Sequence, residues 1–156
     1  MMNVIRWHGK PLTQTSLTKT GILSLEFAKT KQQANTITTS WKDEGVHYTA
    51  IVNTSVDFLF IFFYSLFLFA CCYWLALKQT GVMKKMSQAI ALFGLTAGLL
   101  DCVENYFLLK MLAFTISDTQ AAFTFWIAAI KFILAAITVI WILLQPLLLL
   151  VPKPKT

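Results

Sequence analysis

Four polar side chains interrupt two long apolar stretches of this chain. Asp101, Glu104 and Asn105 lie within about one helical turn of each other, and Lys131 stands alone in the next stretch. Ionisable groups at membrane depth are costly, so they are candidates for function by default. Two carboxyl groups one turn apart and a nearby amine could form an ion pair, exchange a proton or bind a further cation.

Three apolar stretches must position these groups. Hydrophobic residues make up 57% of the 156 residues and charged residues 13%, a composition typical of membrane proteins rather than soluble ones. A membrane helix needs roughly 20 mainly apolar residues. We therefore predict an all-α fold, an antiparallel transmembrane helix bundle of three spans with an amphipathic N-terminal region. The spans are expected at about 50–77, 87–114 and 118–146.

The rest of the chain is polar or amphipathic. Residues 1–20 are predicted to be a polar, basic tail, 21–49 an amphipathic surface segment and 152–156 a second basic tail. Ser117 and Gln120 have the spacing of a capping box at the start of the third span. Pro146 is expected to kink or end that helix, because proline lacks a backbone donor.

Helical periodicity places the polar residues on facing stripes. If the second span leaves the membrane near Leu112, Glu104 lies ~12 Å deep and Asp101 ~16 Å deep, and Lys131 on the antiparallel third span lies ~15 Å deep. The lysine should therefore be level with both acids. Small residues allow close helix approach, so we expect the second helix to pack on the third through Gly94, Gly98 and Ala128.

The first span can add to this polar cluster from the same side. Asp57 lies near its start, and Tyr64 follows on the same face, where its hydroxyl could bond into the cluster. Glu26, an acid between Leu25 and Phe27, is expected to turn inward near Asp57. The more common roles of such residues are a helix cap at the interface for Asp57 and a belt or packing aromatic for Tyr64.

The polar cluster allows two interpretations. Buried ion pairs often only fix helix association. Alternatively, two acids facing one lysine require a proton or another cation to complete the site. The leading hypothesis is a non-enzymatic accessory or assembly subunit. The second is a binding or transport module for a lipid, a proton or a small cation, and the third is a membrane-embedded enzyme acting on lipid. Catalytic residues are not identified.

Charge and histidine content limit the possible partners. The net charge of +6 comes partly from lysines in the loop 78–86 and at the C-terminus, a positive-inside pattern that places both in the cytoplasm. No nucleic-acid-binding module is visible. His8 and His47 lie outside the spans, so we expect no metal and no cofactor. The expected partners are the lipid bilayer and other membrane subunits or further copies of this chain.

Several short motifs resemble, in order and spacing, a group of small bacterial multi-pass membrane proteins with no established activity. They are Gly21-Ile22-x-Ser24-x-Glu26, Trp41, Asp57-Phe58 with Tyr64, Asp101-x-x-Glu104-Asn105 and Lys131-Phe132. The resemblance implies a bacterial inner-membrane protein and supports the membrane class. Members usually have a membrane helix before the Gly-Ile motif, where this chain is polar. That helix is expected to be missing, supplied by a partner or lost through an unusual start site.

Overall fold

The computed structural model describes residues 11–15 and 18–149, with side chains as far as Gln145. These residues form five helices with described bounds, a further helical turn at 11–13 and no strand, which confirms the all-α antiparallel bundle. The helices are α1 (Leu23–Glu26), α2 (Lys31–Asp43), α3 (His47–Leu77), α4 (Gly81–Ala113) and α5 (Asp118–Leu149).

Three of these helices are long and apolar enough to cross a membrane. They are His47–Leu77, Gly81–Ala113 and the Asp118–Gln145 part of α5. Their outer faces expose large apolar side chains such as Phe62, Phe67 and Leu143, as expected where lipid replaces water. The protein is therefore a small helical membrane protein in its architecture.

Local sequence explains where the long helices begin. Gly81 has a φ of +59°, which favours glycine, and α4 starts at this turn, six residues before the predicted start at 87. The predicted capping box forms at the start of α5: Ser117 N donates to Gln120 Oε1 (3.1 Å), and Gln120 N donates to Ser117 Oγ (3.2 Å). Pro146 does not end α5, which continues to Leu149.

The central helix α4 packs along both α3 and α5, which contact each other much less. Gly94 and Gly98 were predicted to pack against α5, and this prediction was wrong. A Cβ added at Gly94 would lie 3.0 Å from Leu68 Cβ, and one added at Gly98 would lie 2.8 Å from Ser65 Oγ. Both glycines therefore allow close approach of α3, not α5. The third predicted packing residue, Ala128, is fully buried on α5.

The N-terminal segment (residues 18–46) covers one end of the bundle. Its apolar side chains share a core with the ends of the three long helices: Leu25, Ala28, Ala34 and Trp41 pack with Ala50, Leu108, Met111, Leu112, Ile116 and Ala121. At the start of α2, Lys31 N donates to Asp118 Oδ1 (2.9 Å), which joins this segment to α5. The segment therefore packs on the bundle.

The predicted polar tail is only partly correct. Leu12 and Thr18 are fully buried, Trp41 Nε1 donates to Thr18 Oγ1 (3.0 Å), and Thr18 Oγ1 donates to the Leu12 carbonyl (2.7 Å). A buried tryptophan requires a partner for its N–H, and Thr18 supplies it. Residues 1–10, 16–17 and the predicted basic tail 152–156 lie outside the described residues.

Candidate functional site

Lys131 lies at the centre of a buried ion cluster. Its Nζ is 2.5 Å from Asp101 Oδ1, 2.7 Å from Glu104 Oε2 and 3.5 Å from Glu26 Oε2. Asp101 and Glu104 come from α4, one turn apart, and Lys131 comes from the antiparallel α5. The predicted equality of depth is confirmed by these distances. An ion pair so buried loses hydration, and multiple partners offset much of that loss.

Helix α3 supplies the remaining predicted residues. Tyr64 donates its hydroxyl to Asp101 Oδ2 (2.8 Å), and Asn105 Nδ2 donates to Asp57 Oδ2 (2.9 Å). Asp57 is therefore hydrogen-bonded to a side chain of α4. The structure brings the six predicted residues of the polar cluster to one end of the bundle, beneath the N-terminal segment.

Glu26 belongs to the cluster more directly than the sequence indicated. We expected it to turn inward to the outer end of the cluster near Asp57. It lines one cavity together with Asp57 and also forms an ion pair with Lys131. Its place at the end of the short helix α1, between buried Leu25 and the packed Phe27, turns its carboxyl inward. Burial raises the pKa of Glu26 above its ordinary range, against the opposing effect of Lys131.

A cavity of about 220 Å³ adjoins this cluster. Its polar lining comes from all three long helices and from α1, and its apolar lining comes from the N-terminal segment, α3 and α5. The lining residues are Ile22, Leu23, Glu26, Asn53, Thr54, Asp57, Phe60, Asp101, Asn105, Lys131 and Phe132. The ion cluster is therefore not fully enclosed by protein atoms.

Asn53 was not predicted as part of this site. It is 6% exposed, lines the cavity, and its Oδ1 has no hydrogen-bond partner among the described residues. A buried acceptor without a partner is costly, so its position at a cavity indicates a place for a donor. The sequence signal that could have identified Asn53 is its spacing, because it precedes Asp57 by one helical turn and shares its face.

The charges of the cluster do not balance. Four carboxyl groups, those of Glu26, Asp57, Asp101 and Glu104, accompany Lys131 as the one basic side chain of the ion cluster. The site therefore holds more carboxyl groups than basic side chains. Within the part of the chain that the structure describes, no three His, Cys, Asp or Glu side chains are arranged to hold a metal ion.

The fold and this cluster define a class: a small helical membrane protein with a buried lysine–carboxylate site. Comparison of the chain with protein families, with curated proteins and with solved structures finds no match. The function must therefore be inferred from the geometry itself.

Proposed function

We propose that this protein binds a small primary ammonium ion, a protonated amine, in the cavity beside Lys131. The observation that carries the proposal is the cavity lined by the unpartnered Asn53 Oδ1 together with Asp57 and Asp101. An ammonium group has three donors and no acceptor, like the lysine side chain, so it matches a cavity with an unused acceptor and carboxyl oxygens.

The remaining features of the site support the same ligand. Three carboxyl groups, those of Glu26, Asp57 and Asp101, line the cavity, and each of them that is ionised attracts a cation and repels an anion. Phe60 and Phe132 also line the cavity, and aromatic rings bind ammonium groups through their faces. The volume is below the ~300–1,000 Å³ of pockets that hold drug-sized molecules, so the bound group must be small.

The cavity favours this proposal over a purely structural role. A cluster with every acceptor satisfied would be expected of an accessory or assembly subunit, in which ion pairs only fix helix association. Here a cavity adjoins Asp101, and a buried acceptor lines it. Binding of a small cation is the hypothesis that accounts for both features.

Calorimetry of the protein in nanodiscs with methylammonium chloride tests the proposal. We expect saturable binding, with affinity reduced at least ~10-fold, or ~1.4 kcal/mol, in Asn53→Leu and in Asp57→Asn. The asparagine at 57 keeps an acceptor for Asn105 but loses the charge. Asp43→Asn, an exposed acid on α2, is the matched control and should bind normally. Tetramethylammonium, which has no N–H donor, should bind more weakly.

Two outcomes contradict the proposal. One is no saturable methylammonium binding by a folded protein. The other is equal affinity for methylammonium and tetramethylammonium, since the acceptor of Asn53 would then have no role.

We further propose that the cavity lies near the outer face of a bacterial inner membrane. The support is the positive-inside pattern: Lys78, Lys84 and Lys85 lie at the opposite end of the bundle, in or beside the loop between α3 and α4. A fluorescent protein fused to the C-terminus, which fluoresces only when folded in the cytoplasm, should fluoresce. A dark fusion in the membrane fraction would reverse the orientation.

A further inference from the structure

A second cavity lies on the lipid side of the same cluster. It is a groove of about 310 Å³ between α3 and α5. Its lining is mainly apolar: Phe60, Tyr64, Phe67, Leu68, Phe132, Ala135 and Val139, with Asp101 and Lys131. Phe67 is 65% exposed and Val139 42%, so the groove faces the lipid.

The groove and the polar cavity are adjacent. Both are lined by Phe60, Asp101, Lys131 and Phe132, so these four side chains border both spaces. One of the two spaces is polar and has an unused acceptor, Asn53 Oδ1, and the other is mainly apolar and faces lipid. The geometry points to an amphiphile: we propose that the ligand is a single-chain alkylamine, with its ammonium group in the polar cavity and its chain in the groove. This inference rests on the proposed ammonium site.

Charge and size select this occupant. An anionic or zwitterionic head would place negative charge beside the three carboxyl groups that line the polar cavity. An ammonium group instead donates hydrogen bonds that oxygens of those acids and of Asn53 can accept. The groove extends over two turns of α5, from Phe132 to Val139, about 10 Å at helical rise. That length matches one medium alkyl chain.

The groove proposed to hold the alkyl chain, here the chain site, is tested by the ratio of octylammonium to methylammonium affinity in matched variants. Ala135 lines the groove, so Ala135→Phe should fill it and reduce the preference for octylammonium over methylammonium by at least ~10-fold. Ala136→Phe is the control, because Ala136 is an exposed neighbour on α5 outside the groove. Partitioning of octylammonium into the nanodisc is the same for all variants and cancels in the comparison.

A second measurement does not depend on a substitution. An alkylamine with a diazirine at its chain end should label residues 60–68 and 132–139, and excess methylammonium should suppress that labelling. The same probe with a sulfate head should not label them preferentially.

The possible failures can be distinguished. If methylammonium binds but both alanine variants keep the octylammonium preference, or if labelling is spread over all lipid-facing surfaces, the chain site is wrong and the ammonium site stands. If neither amine binds, the proposed function fails as well. If Ala135→Phe weakens the binding of methylammonium and octylammonium equally, the diazirine labelling decides. Labelling outside the groove overturns the inference, and labelling confined to the groove supports it.

Discussion

Two polar clusters occupy opposite ends of the bundle and differ in kind. The first is the ion cluster around Lys131. The second, here the amide cluster, joins the loop between α3 and α4 to α5: Gln79 Nε2 donates to Gln145 Oε1 (2.5 Å), Ser87 Oγ donates to Gln79 Oε1 (2.6 Å) and Trp141 Nε1 donates to Ser87 Oγ (2.9 Å). Lys131 and Gln145 are 14 residues apart on α5, about 21 Å at helical rise.

The two clusters differ in charge and in access to a cavity, and this difference indicates which one holds helices together and which one binds a ligand. In the amide cluster neutral donors and acceptors form a continuous chain, and Gln145 Nε2 is its one buried atom without a partner among the described residues. Such a network holds helices together without a net charge. The ion cluster has an excess of carboxylates and adjoins a cavity with an unused acceptor. We infer that the amide cluster is structural and the ion cluster is the ligand site.

The largest effect is expected from removing the lysine. Lys131→Met leaves Asp101, Glu104 and Glu26 without their cation, and breaking a buried pair in this way costs about 3–5 kcal/mol. Chemical unfolding in detergent measures the loss. Lys84→Met, at an exposed position near the start of α4, should change stability little.

A triple variant separates stability from function. Replacing Asp101, Glu104 and Lys131 together by apolar residues removes all three charges, so much of the stability should return. We expect this variant to fold and not to bind methylammonium. Retained binding would show that the ion cluster is structural like the amide cluster.

The sequence predicted the ion cluster because depth along a helix follows from residue number. Counting from the connection between α4 and α5 placed Lys131 level with Asp101 and Glu104, and antiparallel packing then required contact. The same reasoning could not assign Gly94 and Gly98 to a partner. Small residues indicate close approach, but they do not identify which of two neighbouring helices approaches.

Other features depend on packing that no local pattern specifies. Thr18 is buried against Trp41, and Leu12 lies in the same core as Trp41, which is distant in sequence and lies in a mainly polar segment. Asn53 had only a shared helical face with Asp57 to identify it. The cavity beside it is the space left by side chains of four helices, so it could not be predicted from any one of them.

The close packing of α3 on α4, between the two clusters, can be tested at Gly98. An alanine Cβ there would lie 2.8 Å from Ser65 Oγ, so Gly98→Ala should separate α3 from α4 and cost about 1–3 kcal/mol. Tyr64, next to Ser65, would then lose its bond to Asp101. Adding Ser65→Gly should recover part of the stability, and additive effects in the double variant would exclude this contact.

A smaller effect is expected in the amide cluster. Gln145→Leu removes the acceptor for Gln79 at a neutral site, and interhelical hydrogen bonds in membranes average about 0.6 kcal/mol. We expect a loss of about 0.5–1.5 kcal/mol in the same unfolding assay and unchanged methylammonium affinity. A reduced affinity would show that the two clusters are coupled, contrary to the division proposed above.

The smallest effect concerns pH and the segment that covers the ion cluster. The pKa of Glu26 is raised above its ordinary value near 4.5, mainly by burial; Asp101 and Asp57 add to the rise, and Lys131 and Glu104 oppose it. A raised pKa means that the folded state holds this proton more tightly than the unfolded state. The contribution of Glu26 to stability is therefore full below about pH 4.5 and is lost as pH rises through the folded-state value. As pH rises from about 4.5 through the folded-state pKa of Glu26, we expect the Tm of the wild type to fall by a few °C relative to that of Glu26→Gln. Asp43→Asn, a variant at an exposed position, is the control and should keep the wild-type dependence of Tm on pH. A Tm difference that instead grew in favour of the wild type with rising pH would mean that the ionised carboxylate is the stable form, and that the attraction of Lys131 exceeds the cost of burial.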